Sequence, residues 1–144
     1  AVDTCGHAPY EVFERISGLT DLFLFDLKVM DSSLHREQTG MPNDLILANL
    51  RQLADRAKDL WIRVPMVPGI TDTEENLDAI AAFLQPMTTV RRISLLPYNK
   101  LGEDKIERFQ LARRSLNQSP QTRAELTRKA ERFVALGFDV MIGG

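Results

Sequence analysis

Leu22-Phe23-Leu24-Phe25-Asp26-Leu27-Lys28 decides the fold, because it is a short apolar run that ends on a carboxylate and an ammonium. It is too brief for an amphipathic helix and suits a buried strand. Leu60 to Met66 (LWIRVPM) and Ile93 to Pro97 (ISLLP) have the same character, and Phe138 to Ile142 reads as a final short strand. The intervening segments carry a helical period. Asn43 to Lys58 has a stripe of Ile46, Leu50, Leu53 and Ala57, with Pro42 and Asn43 as entry signals. Thr73 to Leu84 repeats it with Leu77, Ile80, Ala81 and Leu84; Asp72 is expected to cap this helix, with Glu75 completing a capping box. A short helix is expected near Pro9–Ile16. In the last helix, Ser119 ahead of Pro120 is expected at the start and Gly137 at the close.

Strand and helix in alternation, with crossovers of this length, imply parallel pairing through right-handed βαβ units. Strands apolar on both sides lead us to expect cover on both faces of the sheet. Three such units do not close a full barrel, so the α/β chain is either an open sheet or part of a TIM-type (β/α) barrel. Ala1 to Thr4 reads as the end of a strand whose beginning is missing, so residues 1–144 are expected to form a single truncated domain.

The 144 residues carry a net charge of −2 and no basic stripe, so neither nucleic acid nor an anionic membrane is expected as partner. The doublets Arg91-Arg92 and Arg113-Arg114 read as solvated surface. A single cysteine forbids an internal disulfide and fits a reducing cytoplasm. No apolar run is long enough to span a bilayer, and no signal-peptide pattern opens the chain. A cytoplasmic protein is expected.

Polar residues interrupt the strands at their C-terminal ends: Asp3, Asp26, Lys28, Arg63 and Asn99. In parallel α/β folds that edge is where ligands bind. Asp26 and Lys28 are two apart and share a face, while Phe23, Phe25 and Leu27 point the other way. Opposite charges inside a sheet are costly unless paired or given a ligand. Two readings stay open: a salt bridge at the rim, or contacts to a zwitterionic or anionic ligand. Recurrence at successive strand ends favours the ligand. His7 reads as a rim residue, and His35 as a helix-surface group or a supporting hydrogen bond. The five methionines read as core and gap filling. Gly69 after Pro68 reads as a tight turn.

Taken together, these segments resemble the glycyl radical enzyme activating enzymes, the radical S-adenosylmethionine family that includes the pyruvate formate-lyase activase. Asp3-Thr4-Cys5-Gly6 is similar to the family's DT(C/N)G, and Leu24 to Lys28 to its LxDLK strand. Asp31, His35 and Gly40 match the D-x-x-x-H-x-x-x-x-G that follows. Trp61 to Arg63, then Val67-Pro68-Gly69, resemble IR(V/Y)xxxPG. Ser94 to Tyr98, with Gly102 and Lys105, resemble LLPY(H/N)xxGxxK. Ile106 stands where a tyrosine is common, and Phe109 to Asn117 departs from the family stretch.

The resemblance implies the C-terminal portion of a radical S-adenosylmethionine half-barrel, with parallel strands and outer helices. It implies an oxidoreductase that cleaves S-adenosylmethionine to a 5′-deoxyadenosyl radical, which takes a hydrogen atom from a glycine of a partner glycyl radical enzyme, such as a formate-lyase, diol or choline lyase. Carried over, Asp3, Lys28, Arg63 and Asn99 contact S-adenosylmethionine, Asn99 standing where the pyruvate formate-lyase activase has histidine. Asp3, Thr4 and Asp26, with the Leu24 carbonyl, match positions that hold a monovalent cation. The family's C-x-x-x-C-x-x-C motif for its 4Fe-4S cluster and its GGE segment are absent here, and Cys5 reads as a small buried residue. The chain alone is therefore expected to be inactive and to dimerise through an exposed edge. The competing reading is a non-catalytic α/β module binding a small zwitterion or phosphate at the strand rim.

Overall fold

The computed structural model describes residues 1–99 and 119–143. Five strands, β1 (Val2–Thr4), β2 (Phe23–Asp26), β3 (Leu60–Met66), β4 (Val90–Pro97) and β5 (Asp139–Ile142), form one sheet in that order, every neighbouring pair parallel. Sequential order without reversal is the winding of a (β/α) barrel, because same-handed crossovers place successive helices on one side. The α/β architecture with a parallel sheet is as the sequence implies. Gly102, Lys105, Ile106 and the Phe109–Asn117 stretch lie outside the described residues.

Burial shows which side is covered. Along β3, residues alternate between buried and half-buried, starting with buried Leu60. Phe23, Phe25, Leu60, Ile62, Val64, Ile93 and Leu95 join one core with side chains from α1 (Tyr10–Ser17), α3 (Asp44–Ala54), α4 (Glu74–Leu84) and α5 (Arg123–Ala135). Fully burying an aromatic or branched aliphatic side chain stabilises by about 1.5–3 kcal/mol, so this face carries the fold. The opposite face, with Leu24, Asp26, Trp61 and Arg63, stays half-buried. The expectation of cover on both faces is therefore corrected: among the described residues the sheet is packed on one side. The run Leu22 to Phe25 is apolar although its second face, with Leu24, is only half-buried.

Several local expectations shift. β2 ends at Asp26, although the Leu27 N–H still donates to the Arg63 carbonyl at 2.9 Å. β4 begins at Val90, three residues before Ile93. α3 stops at Ala54, short of Lys58. A helix the periodicity did not reveal, α2 (Ser32–Thr39), follows β2; the Asp31 carboxylate accepts from the Leu34 N–H and Gly40 closes it at φ 86°. Thr73, not Asp72, caps α4, its hydroxyl accepting from the Asn76 N–H. Asp72 instead accepts from the Gly69 N–H at 2.7 Å and from Gln121 Nε2 at 2.8 Å, which holds the turn after β3 against the segment entering α5. Thr122 and Glu125, rather than Ser119, form the capping box of α5. Gly69, at φ 71°, makes the expected turn, with the Ile70 N–H donating to the Val67 carbonyl at 3.1 Å.

Candidate functional site

Strand register places the charges before any side chain is considered. On the half-buried face, Asp26 lies opposite Arg63, Arg63 opposite Ser94 and Ser94 opposite Met141. One step nearer the strand starts runs a second row of Asp3, Leu24, Trp61, Arg92 and Asp139. Side chains two apart on one strand share a face, so Lys28 rises beyond Asp26.

Arg63 is the hub. Its Nε donates to Asp26 Oδ1 at 2.8 Å, and a terminal nitrogen, 2.7 Å from the same oxygen, donates to Asp3. Lys28 Nζ stands 3.6 Å from Asp26 Oδ2. Burial opposes the charge on Arg63, but its hydrogen bonds to both carboxylates outweigh it and raise its pKa above the ordinary value. Asp3, Asp26, Lys28 and Arg63 thus form one connected cluster, two carboxylates and two cations, across β1, β2 and β3; Arg63 lies in the middle of β3 and not at its end, contrary to expectation. Asn99 sits two residues past the end of β4, at the same edge of the sheet.

In the row below, Asp3 bonds upward to Arg63, while Trp61, Arg92 and Asp139 close upon one another. Arg92 lies with its guanidinium carbon 4.2 Å over the Trp61 ring, and its Nε donates to Asp139 Oδ2 at 2.8 Å. Arg92 is therefore a half-buried element of the open face, not the solvated doublet member its sequence context implied. This layer fills the sheet face beneath the charged cluster.

Two cavities flank the cluster. One of about 220 Å³ lies between the loop after β1, with Cys5 and His7, the tip of β2, with Asp26 and Lys28, and the helical side, with His35 and Asn43. A second of about 290 Å³ is lined by Lys28, Gln38, Thr39, Val67 and Thr71. Lys28 borders both. His35 is buried, and its Nδ1 lies 2.7 Å from the Met41 carbonyl, a contact in which the nitrogen donates. Cys5 is exposed, contrary to expectation. The small buried residue there is Gly6, at φ 76° against the Phe25 ring, a position any side chain would overfill. Met66 fills the core as expected, whereas Met41 and Met141 are exposed.

Two absent groups can be compared with these donors. A four-iron cluster with three cysteine ligands does not fit, since the chain has only Cys5. A hard monovalent cation suits the oxygen chemistry of Asp3, Thr4 and Asp26. Both carboxylates already accept from Arg63, and the Thr4 hydroxyl accepts from the Gly6 N–H at 3.0 Å, so a cation would have to displace part of this network. Among the described residues no group of three or more His, Cys, Asp or Glu is placed to hold a metal, and no helix is long and apolar enough to cross a membrane.

No family profile matches the chain. Curated relatives do. The trans-4-hydroxy-L-proline dehydratase activating enzyme of Clostridioides difficile is 34% identical over 146 residues, spanning 100% of this chain and 48% of the relative. The choline trimethylamine-lyase activating enzyme of Oleidesulfovibrio alaskensis is 40% identical over 112 residues, 76% of this chain and 36% of the relative. A crystal structure of a domain of pyruvate-formate lyase-activating enzyme from Bacteroides vulgatus superposes with TM-score 0.80 at 28% identity, covering 99% of this chain and 80% of that one. The chain belongs to the glycyl radical enzyme activating enzymes. It spans about half the length of the curated activating enzymes it matches, 48% for the C. difficile protein. A radical SAM methyltransferase from Sphaerobacter thermophilus shares the fold at TM-score 0.64 and 14% identity.

The residues that sequence reasoning missed are amides. Asn43, Asn49 and Asn76 are buried, and each bonds loop backbone at the strand tips. The available signal was a polar residue on an apolar helical stripe: Asn49 beside Leu50 and Leu53, and Asn76 beside Leu77 and Ile80.

Proposed function

We propose that this chain is the part of a glycyl radical enzyme activase that orients S-adenosylmethionine, and that the whole protein uses it to generate a glycyl radical on a partner enzyme. The observation that carries the proposal is the connected cluster of Asp3, Asp26, Lys28 and Arg63 on three adjacent parallel strands and the loop after β2. The methionyl end of S-adenosylmethionine carries one carboxylate and one ammonium. Lys28 and Arg63 match the first in charge, and Asp3 and Asp26 the second. S-adenosylmethionine bound there would supply hydrogen-atom abstraction chemistry. The chain's own residues bind, orient and neutralise. Without cluster ligands, the chain on its own is inactive towards S-adenosylmethionine cleavage. The partner is a glycyl radical enzyme of the kind named for the relatives, a dehydratase, decarboxylase or carbon–nitrogen lyase.

Calorimetric titration of the protein with S-adenosylmethionine, and separately with inorganic phosphate, tests this reading. S-adenosylmethionine is expected to bind, and Lys28→Met to weaken it about tenfold, the equivalent of one charge-assisted hydrogen bond. Phosphate binding without S-adenosylmethionine binding would replace the proposal with the non-catalytic anion-binding module.

A further inference from the structure

The segment leaving β2 is held by side chains rather than by a ladder. After the Leu27 N–H bonds the Arg63 carbonyl, strand pairing ends. Two buried amides then take four backbone groups of Lys28 to Met30. Asn76, in the first turn of α4, accepts from the Met30 N–H at 2.8 Å and donates to the carbonyls of Lys28 and Thr71, each at 2.8 Å. Asn43, the residue before α3, donates to the Val29 carbonyl at 2.8 Å and the Met30 carbonyl at 2.9 Å. The two side chains are 7% and 2% exposed, so water does not substitute for them.

The chemistry requires amides. A buried carbonyl needs a donor and a buried N–H an acceptor, and a primary amide supplies both without charge. A carboxylate at Asn76 would set oxygen against the Lys28 and Thr71 carbonyls. Glutamine would reach a methylene too far. Holding the Lys28 carbonyl and the next two residues fixes the backbone from which the Lys28 side chain departs. That matters for lysine more than for most residues, because its four-carbon stem otherwise roams. The same Asn76 amide ties the loop after β2 to the loop after β3, the two loops that border the 290 Å³ cavity beside Lys28.

We infer that Asn76 and Asn43 are positioning residues that set where Lys28 presents its ammonium to the ligand. The inference rests on the proposed reading of Lys28 as a contact to S-adenosylmethionine. Both act through the backbone of Lys28 to Met30; Asn76 lines neither cavity beside Lys28, whereas Asn43 lines the 220 Å³ one.

A double-mutant cycle tests it in the complete, cluster-loaded protein that carries this chain. S-adenosylmethionine affinity is measured by calorimetry for the parent, Asn76→Leu, Lys28→Met and the pair, with the KM and kcat of activation recorded alongside. Each single change is expected to weaken binding about tenfold, and the pair to be no weaker than Lys28→Met alone. KM should rise while kcat holds. Multiplied losses in the pair would overturn the positioning role and leave the functional reading standing. Unchanged affinity in Lys28→Met would overturn both. Should Asn76→Leu fail to fold, Asn43→Ala takes its place in the same cycle, since it removes donors from two carbonyls only. Thr89→Val removes a 2.6 Å hydrogen bond to the Ala54 carbonyl near the starts of the strands and serves as the stability control. A loss of affinity there equal to that of Asn76→Leu would also overturn the inference.

Discussion

Replacing Arg63 with leucine separates what the charged cluster does for stability from what it does for binding. Arg63 and Asp26 keep only 19% and 20% of their side-chain surface exposed, whereas Asp3 keeps 62%. Removing one member of a fully buried ion pair costs about 3–5 kcal/mol, because the other charge is stranded. Here the burial is partial and Lys28 remains 3.6 Å from Asp26, which brings the expected loss down to about 2–3 kcal/mol. The Asp3 contact, mostly in water, adds about 0–1 kcal/mol. The double replacement Arg63→Leu with Asp26→Leu removes the stranded carboxylate and adds apolar surface to the sheet. It is expected to recover to within about 1 kcal/mol of the parent, since well-packed apolar residues replace such pairs at little cost. Urea unfolding at neutral pH reads both values, and an unchanged slope confirms that the midpoint reports stability. On the proposed function, the double variant stays folded yet loses S-adenosylmethionine binding. A single variant within about 0.5 kcal/mol of the parent, or a double variant less stable than the single, would refute the argument that Asp26 needs its partner.

Gly6→Ala should destabilise by about 2–4 kcal/mol: the left-handed backbone at φ 76° penalises a Cβ, and that Cβ would overlap the fully buried Phe25 ring. Chemical denaturation measures it, and a loss below about 1 kcal/mol would mean that the loop relaxes freely. Glu74 gives a pH dependence. The hydrogen bond from Arg132, reinforced by the nearby Arg132 and Lys129 charges, holds its pKa below the ordinary 4.5. Its contribution is therefore complete above that value and fades as pH falls through the lower folded-state pKa. Glu74 is 61% exposed, so the contribution is only about 0.2–1 kcal/mol; Glu74→Gln should narrow the stability loss between about pH 6 and pH 3, and an unchanged acid limb would remove Glu74 from the account.

The sheet was legible because its signals are local. Leu60 to Met66 forms β3 at the bounds its composition implies, and the period of two put Asp26 and Lys28 on one face. The one-sided cover was not legible: an apolar residue such as Leu24 reads alike whether it meets a helix or a neighbouring strand's side chain. α2 was hidden for a different reason. Its segment SSLHREQT buries only His35, so no apolar stripe announces it, and its ends are set by Asp31 and Gly40. The candidate site was half visible. Residue types at strand ends could be listed from sequence, but that Asp26 faces Arg63 is a fact of register, and register depends on how two distant strands align. The asparagine clamps reach across 13 to 48 residues of chain, and short-range propensity reads such residues only as caps and turns.

The internal pairing of the cluster constrains how a ligand is recognised on the proposed reading. Arg63, Lys28, Asp3 and Asp26 satisfy one another without a ligand, so the unliganded sheet carries no stranded charge and can fold first. A zwitterion entering this network exchanges partners rather than adding them. Its carboxylate takes donors from Asp3 and Asp26, and its ammonium takes acceptors from Arg63 and Lys28. The number of ion pairs rises little, and the net gain from charge is accordingly small. The charges then select one orientation and penalise any ligand that brings only half of the zwitterion. A singly charged ligand would break internal pairs and replace only some of them. On the proposed reading, that asymmetry lets the half-buried cluster discriminate between a zwitterion and a simple anion.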